Sequence, residues 1–247
     1  MADAAEPLYV GLTAEPWLAV AFSPTGFDHV QVFDSVGAAW LAYEETAARI
    51  LVGVPIGLIE SGRGHRECDE LAREAVGPQR EHIVPPPVRE ATRKRRFPAA
   101  TRTHERKAGV RLTERAFAAS EAIAAVDELL QELPDARGVF AESHPELCFR
   151  AFAGEPLEEP KGTAAGYAER MRTLAELNRD APPVVQGVAE GTTGFEVSVP
   201  DVLDAVALAY TARPGDAPLR SLPEEPPLDA EGLPMAMHYR ADAPLVE

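Results

Sequence analysis

The chain has 247 residues, with 24 Lys plus Arg against 40 Asp plus Glu, a formal net charge of −16, and 45% hydrophobic residues. This composition excludes an intrinsically disordered chain, and no apolar run is long enough to span a bilayer as a helix. Met1-Ala2-Asp3-Ala4-Ala5-Glu6 lacks the basic-then-apolar order of a signal peptide, and Cys68 and Cys148 form neither a C-x-x-C pair nor a disulfide framework. The expectation is a soluble, cytoplasmic protein with no membrane partner.

The first third reads as a strand meander followed by alternating helix and strand. Leu8–Leu12 and Trp17–Phe22 are parted by the turn-like Ala14-Glu15-Pro16, and residues 29–33 alternate as a third strand. Loops this short favour antiparallel pairing. Asp34 or Ser35 can cap a helix running toward Ala48. Residues 50–54 are a nearly continuous apolar strand stopped by Pro55, the pattern of a strand buried on both faces.

Farther on, a helix is expected over 65–76, ended by Gly77-Pro78. Pro85-Pro86-Pro87 then opens an irregular stretch. Residues 113–133 read as one long helix with Ile123, Val126, Leu130 and Leu133 on a stripe. A strand over 137–142, a helical turn over 146–153 and a helix over 163–177 follow. Ser198 and Asp201 make a capping-box signal for a helix reaching Thr211. Residues 214–234 read as a surface loop and 235–239 as an edge strand. With no repeat or linker, residues 1–247 read as a single domain. It carries a helical, basic insertion around 85–115 and a Pro-rich segment over 214–247. Three antiparallel strands, a helix, an interior strand, helices, a further strand and terminal helices give the order of an RNase H-like α/β domain, a mixed sheet flanked by helices.

The acidity is uneven. Between Arg89 and Arg115 lie ten basic and three acidic residues, net +7, so the rest of the chain carries −23. The bulk acidity reads as solvent adaptation of the kind halophiles use. The basic island invites contact with DNA or RNA. Arg93, Lys94, Arg95, Arg96, Arg102 and Lys107 are its candidate phosphate contacts, and Phe97 is available to stack. A solvated Arg-rich segment balancing the acidic body is the plainer alternative. Gly57, Gly62 and Gly64 flank Arg63 without forming a phosphate-binding loop, and the six histidines show no zinc-site spacing. Arg66, Asp69 and Arg73 sit on consecutive helical turns, as a salt-bridge set would.

Several motifs in order carry a family resemblance. They are Tyr9-Val10-Gly11-Leu12 with Trp17-Leu18-Ala19-Val20, Val54-Pro55-Ile56-Gly57-Leu58, and Gly64-His65-Arg66-Glu67-Cys68-Asp69. Phe140-Ala141-Glu142-Ser143-His144-Pro145-Glu146, Asp201-Val202-Leu203-Asp204-Ala205 and Leu228-Asp229-Ala230-Glu231-Gly232-Leu233-Pro234-Met235 complete the series. Over nearly the whole chain they resemble the family called domain of unknown function 429, generally described as predicted nucleases of RNase H-like fold. The resemblance implies a metal-dependent hydrolysis of phosphodiesters, with Mg²⁺ or Mn²⁺ as cofactor.

Such chemistry needs hard ions held by convergent carboxylates. Glu142, Asp201 and Asp204 are the candidate catalytic acids, and Glu142 and Asp204 the candidate metal ligands. Glu142 ends its strand, where open α/β sheets place ligands, and Asp201 and Asp204 share a helix face. Asp201 also reads as nothing more than the capping partner of Ser198. Thr13, Gly53, His144 and Glu146 are expected to line the site. The family pattern places Asp at the positions of Thr13 and Gly53, so the resemblance implies a degenerate site. The competing expectation is a non-catalytic descendant that binds nucleic acid or protein through the basic segment.

Overall fold

A computed structural model describes residues 6–62 and 65–246. Residues 1–5, Arg63, Gly64 and Glu247 lie outside the described residues, and with them most of the N-terminal segment and the Gly64 end of its motif.

Strands β1 (Leu8–Leu12), β2 (Trp17–Phe22) and β3 (Phe27–Phe33) form the expected antiparallel meander. Ser35 caps α1 (Val36–Tyr43), its hydroxyl accepting from the Ala38 N–H. The helix ends before Ala48 because β4 (Ala47–Val52) already pairs in parallel with β1 from Ala47.

Helix α2 (Glu67–Val76) stops at Gly77, whose φ of 55° is a left-handed value that suits glycine, and a 3₁₀ segment, Gly77–His82, follows. The stretch after the triple proline is more regular than expected: α3 (Arg89–Thr92) and α4 (Phe97–Ala108) occupy it. The long helix expected over 113–133 divides at Ala119 into α5 (Glu114–Ala118) and α6 (Ser120–Glu132). A single turn, α7 (Pro134–Arg137), then takes Arg137 out of the strand expected there, leaving β5 (Phe140–Glu142).

Four helices complete the second face: α8 (Pro145–Ala153), α9 (Ala164–Leu177), α10 (Ala181–Gly191) and α11 (Val199–Ala212). Both halves of the capping box at Ser198 and Asp201 are formed. The expected surface loop contains β6 (Leu219–Leu222), and β7 (Met237–Arg240) pairs antiparallel with it in a separate two-stranded sheet. A single bridge from Ser143 to His238 joins that ribbon to the end of β5, so β7 is not an edge strand of the main sheet.

The main sheet has the order β3-β2-β1-β4-β5, antiparallel on one side of β1 and parallel on the other. One face packs against α1 and α6 through Val10, Leu12, Ile50, Trp40 and Val126. The other packs against α8 to α11 through Leu18, Val20, Leu51, Phe149 and Leu208. The seating of α11 depends on Gly11. A Cβ there would overlap the Ala205 carbonyl oxygen and the Ala209 amide nitrogen, so only glycine lets the helix backbone lie on β1. That close approach brings the N-terminal half of α11, with Asp201 and Asp204, to the carboxyl end of β1.

Candidate functional site

The chain passes from strand to loop at three neighbouring points on the same edge of the sheet. Thr13 follows β1, Gly53 follows β4, and Glu142 ends β5. The Gly53 N–H donates to the Leu12 carbonyl at 2.9 Å and the Ser143 N–H to the Val52 carbonyl at 3.1 Å, which holds the three ends in register. In open α/β sheets this is where ligands bind. A cavity of about 370 Å³ lies here, with Thr13, Gly53, Arg115, His144, Lys161 and Asp204 among its walls; Asp201 reaches its rim. An adjoining cavity of about 210 Å³ extends past His82, Pro85 and Glu142.

Glu142 sits in this corner with both oxygens bound. Its Oε2 accepts from the Ile56 N–H at 2.6 Å and from Arg66 Nη1 at 2.7 Å, and its Oε1 from Arg66 Nη2 at 2.8 Å. Arg66 also donates to both Asp69 oxygens and to the carbonyls of Ile56 and Gly57. The guanidinium is fully buried, and every donor of its planar fork has an acceptor. Burial raises the Glu142 carboxyl to about 7, against the opposing pull of Arg66. Arg73, the third member of the helical set, donates instead to the Ile83 carbonyl.

Asp204 differs. Its Oδ2 accepts from Lys161 Nζ at 2.6 Å, while its Oδ1 is buried with no partner. Burial raises its pKa and Lys161 opposes the shift. Asp201 keeps its carboxylate on its own helix end: Oδ2 accepts from the Ser198 N–H at 2.8 Å and hydroxyl at 2.6 Å. The Thr13 hydroxyl donates to the Pro16 carbonyl at 3.4 Å rather than to Asp204. Glu146 does not line the cavities: in the α8–α9 contact Arg170 Nη2 donates to its Oε2 at 2.6 Å, its Oε1 is buried without a partner, and its charge adds to the upward shift of Asp204. His144 is the N-cap of α8, its Nδ1 accepting from the Glu146 N–H at 3.2 Å. Burial, then Lys161 and His82, push the His144 imidazole down to about 3.

The structure therefore brings Thr13, Gly53, His144, Asp201 and Asp204 to one cavity and Glu142 to its neighbour, and leaves Glu146 outside both. Among the described residues, no three His, Cys, Asp or Glu side chains are grouped to hold a metal ion. Lys161, Arg115 and His82 were not singled out from sequence. Lys161 is one of only three lysines, and it stands alone in the second half of the chain, just before the Thr163 cap of α9.

The basic island is largely engaged internally. Arg93 donates to Asp127, and Arg89, deeply placed, pairs with Asp127, Glu60 and Asp229. Lys94, Arg106 and Lys107 surround Glu90, and the hydrogen bonds from Lys107 and Lys94 pull its pKa down. Phe97 packs on Phe117 with ring centroids 5.5 Å apart instead of offering a free stacking face. Arg95, Arg96 and Arg102 are exposed and have no ion pair among the described residues.

A mixed sheet ordered 3-2-1-4-5, with helices on both faces and a cleft at the strand ends, defines an α/β domain of RNase H-like arrangement. The chain belongs to the family described as "Protein of unknown function (DUF429)", whose model matches residues 13–228. No curated protein and no solved structure matches it. Among the described residues, no helix is long and apolar enough to cross a membrane.

Proposed function

We propose that this chain is a non-hydrolysing member of its family, which uses the cleft at the strand ends to hold a ligand without a divalent metal. The observation that supports this most is the state of the carboxylates. Mg²⁺ and Mn²⁺ take octahedral sets of oxygen ligands that include unengaged carboxylate oxygens, and two-metal hydrolysis needs carboxylates enough for two such ions about 3.5–4 Å apart. Glu142 has its oxygens bound by Arg66 and the Ile56 N–H, Asp204 faces Lys161, and Asp201 closes its own cap. Among the described carboxylates lining the cavity, Asp204 leaves one buried oxygen, Oδ1, without a partner. Thr13 and Gly53 add no carboxylate, so the donor set present does not fit a two-metal centre. The ammonium of Lys161 supplies the positive charge that Asp204 requires.

Incubating the protein with single- and double-stranded DNA and RNA in Mg²⁺ and in Mn²⁺ tests this reading. Intact substrate is the expected result. Metal-dependent cleavage that co-purifies with the protein and is lost in Asp204→Asn overturns it.

A second reading, nucleic-acid contact through the basic segment, is supported by the exposed Arg95, Arg96 and Arg102, which have no ion pair among the described residues. Replacing all three with Ala is expected to weaken DNA or RNA binding and flatten its salt dependence. Unchanged binding would remove the segment from consideration.

A further inference from the structure

Resting on the non-hydrolysing reading, the geometry points to a phosphomonoester site in the cleft. It is formed by Arg115 and Lys161, and Asp204 Oδ1 receives a hydroxyl of the same ligand. The two adjoining cavities share Gly53, Pro55, Arg115 and His144 in their walls, so they form one continuous space.

The walls hold two cations, Arg115 and Lys161, beside four carboxylates, three of which are already engaged: Glu142 by Arg66, Asp201 at its own helix cap and Asp204 through one oxygen by Lys161. Arg115 donates one N–H to the Glu81 carbonyl at 2.6 Å and has no carboxylate partner among the described residues. Lys161 holds Asp204 through a single oxygen. The two imidazoles in the walls, His82 and His144, are both kept neutral by burial together with the positive charge of Lys161 and Arg115. In a chain of net charge −16, the cleft is thus a place where nearby cations shape the field. The N-terminal end of α8 at His144 opens on the same space and adds partial positive charge.

Neutral donors and acceptors complete the chemistry. His82 Nδ1 is buried without a partner, and Asp204 Oδ1, on a residue 8% exposed, is an unused acceptor in the wall. A bare anion would leave that acceptor unsatisfied, at a cost. A ligand carrying a phosphate and a hydroxyl answers both: oxyanions toward Arg115 and Lys161, a hydroxyl toward Asp204. Ile123, Ala119, Val54 and Pro55 provide an apolar surface for the body of such a molecule. Gly53 leaves the backbone beside it uncovered by a side chain. A nucleotide has this pattern, either free or as the 5′-phosphorylated end of a strand.

The test is calorimetric titration of the full chain in EDTA with four probes: adenosine monophosphate, adenosine, and an oligonucleotide with a 5′-phosphate or a 5′-hydroxyl. Adenosine monophosphate or the phosphorylated strand is expected to bind, with the dephosphorylated counterpart about tenfold weaker or worse, the scale of a lost charge-assisted contact. Preference between the two phosphorylated probes identifies the source of the ligand. Arg115→Gln, at an exposed position whose loss leaves the fold intact, should weaken binding by a similar factor, and so should Lys161→Gln. The proposal is overturned if neither phosphorylated probe binds at millimolar concentration, or if both variants bind like the parent. Those results leave the non-hydrolysing reading standing. Binding that requires Mg²⁺ and ends in cleavage overturns both.

Discussion

Two carboxylates near the strand ends, Glu142 and Asp204, share burial and a basic partner, yet they are built differently. Glu142 and Arg66 form a closed unit, with both oxygens and all guanidinium donors paired and side chains 2% and 0% exposed. Asp204 and Lys161 form an open one, with a partnerless oxygen and a lysine 26% exposed. Closure at Glu142 reaches back to Ile56, Gly57 and Asp69, so this acid ties α2, the loop after β4 and the end of β5 together. Openness at Asp204 leaves an acceptor and a movable ammonium facing the cavity. A buried carboxylate is thus closed off at one position and left open to the cavity at the other, and what separates them is the completeness of their hydrogen bonding.

The largest expected effect comes from breaking the closed unit. Arg66→Met leaves Glu142 and Asp69 buried without their cation and should destabilise the fold by about 3–5 kcal/mol, read from urea unfolding. A loss below about 1 kcal/mol would mean that the network is dispensable. Next comes the seat of the open unit. Gly11→Ala pushes a methyl group into the α11 backbone and should cost about 1–3 kcal/mol by the same measurement. Lys161→Gln should be milder, on the order of 1 kcal/mol, because that pair is partly solvated and Asp204 can take up a proton. Equal losses at Arg66 and Lys161 would erase the distinction between the two units.

The smallest effect at neutral pH, seen only as a pH dependence on the acid side, is that of His144. His144 titrates near 3 in the fold, against an ordinary value of 6.5. As pH falls below 6.5 the unfolded chain takes up a proton that the folded chain refuses. The stability associated with a neutral His144 is therefore complete above that value and declines toward pH 3. His144→Asn keeps a capping acceptor for α8 and should flatten part of the acid-side loss while leaving stability at neutral pH nearly unchanged. An unaltered slope in a pH series of urea midpoints would remove His144 from this account.

Features fixed by neighbours in the chain were legible in the sequence, and those fixed across the fold were not. The Ser198–Asp201 cap is a three-residue interaction, and the structure forms it as the spacing predicts. The meander declares itself by alternation and short turns. Helix α10 escaped notice because Pro182 and Pro183 resemble a break, although proline in the first helical turn costs no hydrogen bond. The partners of the candidate acids lie far off in sequence: Arg66 is 76 residues from Glu142, and Lys161 is 43 from Asp204. No periodicity reports such pairings, so Arg66 reads from sequence only as part of a local set with Asp69 and Arg73, and Lys161 does not read as a partner of Asp204. The pairing within the basic island is legible only in part: Lys94–Glu90 is a local i,i+4 pair, whereas Asp127 meets Arg89 and Arg93 only once α6 packs on α3.

The central claim, that the cleft holds no divalent ion because too few unengaged carboxylate oxygens converge there, is tested most directly by titrating the protein with Mn²⁺ in a calorimeter. The Thr13→Asp/Gly53→Asp variant is measured alongside; a Cβ at residue 53 comes no nearer than 3.4 Å to Leu208. The account predicts no saturable binding to the parent chain at millimolar Mn²⁺, and binding gained by the variant. Saturable Mn²⁺ binding by the parent chain, abolished in Asp204→Asn, would contradict it.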